Sequence, residues 1–181
     1  MTDNLALRNF LAENYSTYAE VKELWARVGG NTGRILDQTD SRSRWAALIQ
    51  QMESGAVPRL KLLTEILNDY KGSKIIIDEV EQELTLEALS PAQKLVDQIS
   101  RADSIQPINI DFSILDGVKV DQIAPAIAVQ VFQTTPEEKK RFRLNLDTLK
   151  DKGTAAILGA TANQLMPLVI AGAHWALGGQ G

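Results

Sequence analysis

Apolar side chains recur through the first part of the chain at the spacing of a helix. Trp45, Leu48, Ile49 and Met52 stand at i, i+3, i+4 and i+7, one face of an α-helix. Ser41 or Ser43 is placed to cap its start, and Gly55 stands where a helix ends in the left-handed conformation. Ahead of it, Leu7, Phe10 and Leu11 make a shorter face that Tyr15 closes. Thr17 and Glu20 have the separation of a capping box. Val21, Leu24, Trp25 and Val28 repeat the helical face before Gly29-Gly30 stops it. A short segment follows with Ile35 and Leu36 as its apolar pair. Pro58 marks the next helix start, and Leu63, Ile66, Leu67 and Tyr70 carry that face to Lys71-Gly72. Five short helices joined by a few residues each suit a compact antiparallel bundle over residues 1–72. Its expected core anchors are Trp25, Trp45, Ile49, Leu63 and Tyr70, because large apolar bodies on helical stripes must be packed around.

Residues 73–104 read as a helical connector. Ile75, Ile76 and Ile77 are β-branched, but Ile77, Val80 and Leu84 keep helical spacing. Ser90-Pro91 has the form of a cap and first turn, leading into a face of Ala92, Leu95, Val96 and Ile99. At Pro107 the period changes to two: Ile108, Ile110, Phe112 and Ile114 alternate with polar residues, as in a half-buried strand. Asp116-Gly117 between apolar runs predicts a β-hairpin, with Val118 and Val120 starting the return strand. Ile127, Val129 and Val131 are read as a third strand in preference to a helix. Thr135-Pro136-Glu137-Glu138 opens a helix with the apolar stripe Phe142, Leu146 and Leu149. The expected fold is therefore mainly α: a helical bundle over 1–72, the connector, and a small α+β or helical module over 105–181 that holds the hairpin and an uncharged C-terminal helix.

That last helix changes the picture of location. No charged side chain occurs from Gly153 to the end, and Ala155 to Gly178 as one helix would reach roughly 36 Å, enough for a bilayer core of roughly 30 Å. Asn163, Gln164, His174 and Pro167 interrupt it, however, and its greasy part is short. Leu165, Met166, Leu168, Val169, Ile170 and Trp175 are thus expected to pack in the module or in an oligomer, with insertion of residues 154–178 in a membrane as the second reading. The start of the chain lacks the basic and apolar regions of a secretory signal, so the expected location is cytoplasmic.

Composition narrows the chemistry. The chain has 181 residues, is 44% hydrophobic and 23% charged, and carries a net charge of −4, a globular balance. A mildly acidic protein is a poor nucleic-acid binder, so Lys139, Lys140, Arg141 and Arg143 read as a solvated basic face. With no cysteine, thiolate metal sites and cysteine nucleophiles are excluded. Glu79, Glu81, Glu83 and Glu87 scatter around a helix without a histidine, which suits a solvated acidic face and no metal. Gly29 to Gly33 lacks the lysine and preceding strand of a phosphate loop. The lone histidine, His174, has no acid after Asp151 to orient it, so no catalytic residue, metal ligand or cofactor site is expected.

One series of residues resembles a known family. Leu7-Arg8, Leu11, Tyr15, Val21, Leu24, Gly33-Arg34-Ile35, Arg44-Trp45, Ile49, Gly55, Leu60, Leu63 and Asp69-Tyr70-Lys71-Gly72 follow one another as in the effector-associated domain, type one. Lys71 stands where that family usually has proline, and Gln51-Met52-Glu53 replaces a run of smaller residues. The resemblance covers about residues 5–72. It implies a death-domain-like helical adaptor of bacterial conflict and signalling systems, pairing like-with-like with a matching domain on another protein. On that expectation the polar run at Arg34, Asp37, Asp40, Arg42 and Arg44 is the candidate interaction surface, since charged edges steer pairing. The expected partners are a protein carrying a matching domain, a further copy of the chain, or a membrane through the tail. A small membrane-perturbing effector is the second functional reading.

Overall fold

A computed structural model shows a mainly helical chain and describes residues 5–37, 39–102, 110–152, 157–158 and 162–177. The chain divides into two compact units, Met1–Glu83 and Leu84–Gly181.

The first unit holds α1 (Leu5–Asn14), α2 (Tyr18–Arg27), a 3-10 turn (Thr32–Arg34), α3 (Ser41–Glu53), α4 (Arg59–Asp69) and α5 (Lys74–Glu83). Helix α1 packs on α3 and α5, and α4 packs on α2 and α5. Trp25, Trp45 and Leu63 are fully buried, Ile49 nearly so, and Tyr70 is half-buried. Each large side chain removed from water contributes roughly 1.5–3 kcal/mol. The Trp45 indole also donates to the Tyr15 carbonyl at 3.0 Å, so its one polar atom is satisfied in the core.

Helix ends follow local chemistry. Thr17 and Glu20 form the capping box at α2. At the other end of α2 the Gly30 N–H donates to the Trp25 carbonyl and the Gly29 N–H to that of Ala26, a Schellman closure with Gly29 at φ +86. Gly30 is needed for a different reason: a Cβ there would stand 2.2 Å from the Trp25 indole nitrogen. Helix α3 ends with the same pair of bonds, Ala56 to Gln51 and Gly55 to Met52. Its start differs from expectation. Asp40 is the cap, accepting from the Ser43 N–H at 3.1 Å, and Ser41 instead donates its hydroxyl to the Ala12 carbonyl.

The second unit comprises α6 (Leu86–Arg101), β1 (Ile110–Asp111), a 3-10 turn (Phe112–Leu115), α7 (Val120–Gln133), α8 (Pro136–Lys152), β2 (Ile157–Leu158) and α9 (Ala162–Leu177). Helix α7 lies at its centre, packed on α6 and α9, while α8 packs on α6. Three readings are corrected here. The connector is divided, since α5 belongs to the first unit and α6 to the second. Helix α6 starts at Leu86, not at Ser90, and carries Pro91 inside it. Among the described residues the hairpin is absent: β1 pairs with β2 in parallel, Ile110 opposite Ile157, Val118 lies in the bend before α7, and the residues read as return and third strands from Val120 onward form α7. The reason is burial. Ile123 to Val129 are buried without a break, and a run hidden on every side shows neither helical nor strand period. The expected strand residue Ile108 lies outside the described residues.

The tail also differs from a single span. Its helix begins at Ala162 and follows β2, and Gly172 lies so close to α7 that a Cβ would meet the Ala124 carbonyl oxygen at 2.4 Å. Among the described residues, no helix is long and apolar enough to cross a membrane.

Candidate interaction surface

The polar run between the 3-10 turn and α3 is organised from below by one side chain. Arg44, expected on the surface, is buried, with 6% of its area exposed. Its Nε donates to the Leu36 carbonyl at 3.2 Å, Nη1 to that of Ser16 at 3.3 Å, and Nη2 to those of Thr39 and Asp37 at 2.7 and 3.3 Å. The guanidinium also lies 5.7 Å from the centre of the Tyr18 ring. A planar group with five donors can collect carbonyls that diverge from one another, and its charge is compensated by their dipoles. Arg44 therefore leaves the set of surface residues. It is the clamp that fixes the loop carrying that surface.

Above the clamp, Arg34, Asp37, Asp40 and Arg42 are exposed, and Leu36 shows 62% of its area to solvent. Asp40 is engaged as the α3 cap. The Ser43 hydroxyl and N–H hold its carboxyl below the usual carboxylate range. Asn31 caps the 3-10 turn, its side chain accepting from the Gly33 N–H at 3.0 Å. Beside Arg34 a solvent-open groove of about 510 Å³ is lined by Gln50, Gln51 and Ser54, with Ala47 and Gly55 as small floor residues. Sequence reasoning missed these α3 positions, although Ala47, Gln50, Gln51 and Ser54 form a small, polar stripe at i, i+3, i+4 and i+7.

A second polar cluster ties α1, α2 and α4 together. The Tyr15 hydroxyl donates to Asp69 at 2.6 Å, and Arg27 makes a two-pronged ion pair with the same carboxylate, Nη1 to Oδ1 being 2.9 Å. Hydrogen bonding from Arg27, supported by Tyr15, holds the Asp69 carboxyl below its ordinary range. Burial, with Asp69 adding to it, pushes the Tyr15 phenol up. Tyr70 packs edge-on against Phe10 and Tyr15, and its hydroxyl donates to the Asn14 carbonyl at 2.9 Å. Arg59 on α4 is paired with Glu79 and, at 2.8 Å, Glu83 on α5. Those two acids, read as part of a solvated face, are the partly buried Glu79 and the exposed Glu83, ion-pair partners that join α5 to the bundle.

No family model, no curated protein and no solved structure matches this chain.

In the second unit, Leu165 and Val169 of α9 are buried, while Met166, Leu168, Ile170 and Trp175 are half-buried and His174 is exposed. The buried Asn145 on α8 donates to the Ile99 and Ala102 carbonyls at 2.6 and 3.0 Å and so closes the end of α6. Among the described residues, no group of three or more histidines and acids is placed to hold a metal.

Proposed function

We propose that the chain is a protein-interaction adaptor of a bacterial conflict or signalling system, which docks through its first unit onto a protein carrying a matching helical domain. The second unit then supplies the output or a second contact. The observation that carries this reading is the loop held by Arg44. A buried guanidinium with four carbonyl partners is more than a solvent-exposed turn needs. A fixed loop loses less entropy on binding than a loose one. The order of residues from Leu7 to Gly72 adds the resemblance to effector-associated domains.

Arg34, Asp37 and Arg42 offer both signs of charge around the exposed Leu36, an arrangement that favours a defined register with one partner. The test is co-expression with a protein encoded beside this chain that bears the same order of residues, followed by size exclusion with light scattering. A stable complex is expected, and the double change Asp37→Lys with Arg42→Glu should abolish it while leaving the helical signal intact. A complex that forms equally well with the double variant would remove this edge from the interface, and absence of any complex would overturn the adaptor reading.

A further inference from the structure

Within the first unit, the arginines of the helical bundle differ in what they do. Arg27 is paired with Asp69 and Glu65, Arg59 with Glu79 and Glu83, and Arg44 is given to carbonyls. Arg34 is exposed on the groove, and its side chain has no hydrogen bond or ion pair among the described residues. The groove around it carries no other charge. Gln50 and Gln51 bring amides that can both donate and accept, as an extended peptide backbone requires. The small residues Gly55 and Ala56 line it with their N–H groups already bound to the Met52 and Gln51 carbonyls at the end of α3. At Gly55 the outward side is open, with no atom within 4 Å of where a Cβ would stand.

We infer that the Arg34 groove binds a short acidic segment of a partner protein, the guanidinium pairing with one aspartate or glutamate and Gln50 and Gln51 holding the neighbouring backbone. This rests on the reading of the first unit as a docking module. The ligand follows from charge. A planar guanidinium fits a carboxylate through two parallel hydrogen bonds. Polyanions are disfavoured because the residues lining the groove supply a single cation, whereas a nucleic acid or an anionic membrane needs several to neutralise its phosphates. A volume of about 510 Å³ has room for a few residues, not for a helix.

The probe is a random hexapeptide display library, panned on the full chain and on Arg34→Gln and Lys71→Gln variants whose amide spectra show the native fold. Sequences retained by the wild type should be enriched in Asp and Glu. Synthetic versions of the best binders should lose roughly tenfold or more in affinity when the acid is changed to its amide, and as much on Arg34→Gln, as expected for a charge-assisted pair. Lys71→Gln, an exposed cation outside the groove and outside the proposed docking edge, should leave them unchanged. Their binding should shift the amide signals of Gln50, Gln51 and Ala56. Binders without acid enrichment, no binders at all, an unchanged set on Arg34→Gln, or the same shifts from inorganic phosphate alone would each overturn the proposal. Acidic binders obtained where no matching-domain complex forms would leave the groove standing and remove the like-with-like pairing. The reverse result would keep the pairing and remove the groove.

Discussion

Arg44 and Asp69 show how single polar groups hold the first unit where apolar packing ends. Arg44 supplies donors to the carbonyls of Ser16, Leu36, Asp37 and Thr39, so removing them leaves those carbonyls without that partner. Arg44→Met keeps the length and loses the bonds. It should cost about 2–3 kcal/mol in urea unfolding followed by tryptophan fluorescence, and a loss below about 0.5 kcal/mol would dismiss the clamp. Lysine is no substitute, since one ammonium cannot span the same fan of acceptors. Asp69 makes a statement about pH. Its folded carboxyl is depressed, so its stabilisation is present above the unfolded value near ~3.9 and is lost as pH falls through the lower folded value. Asp69→Asn is therefore expected to lower stability by about 1–2 kcal/mol at neutral pH, with the gap closing as the pH falls from neutral into the acid range. An equal gap at both ends of that range would mean the ionised carboxylate is not what matters.

Among the elements, proline placement is shared. Pro91, Pro125 and Pro167 each occupy the sixth position of their helix, in α6, α7 and α9. A proline there removes one bond to the second residue of the helix and leaves the later ladder whole. This is why Pro125 and Pro167 did not end the segments they interrupt. The α7–α9 contact is close at its glycine: Gly172 admits the Ala124 carbonyl and the Ile127 side chain. Gly172→Ala puts a methyl group into a space already filled. It gains helix propensity, but overpacking of about 1–3 kcal/mol outweighs that gain of roughly 1 kcal/mol. Hydrogen exchange should rise in α7 and α9. Unchanged protection there would show that the helices separate at little cost.

At the level of the whole molecule, two separate cores make the effects of substitution local. The Gly172→Ala change should leave exchange within Met1–Glu83 as it was, because its contacts lie in Leu84–Gly181. Much of this organisation could be read from neighbouring residues alone. The stripes that became α2, α3 and α4, the capping boxes at Thr17 and Thr135, and the glycines that end α2 and α3 all depend on interactions within a few positions of the chain. What lay beyond such reading depended on partners far along the chain. Burial on every side hid the helical period of α7, where alternating residues suggested strands. Burial of Ile76, Ile77 and Val80, with Arg59 pairing to Glu79 and Glu83, drew α5 into the first unit, and carbonyls up to 28 positions away took Arg44 inside. Local sequence carries hydrogen bonds between near neighbours and the period of one face, whereas the choice of which charges and which faces leave water is made only when distant segments meet.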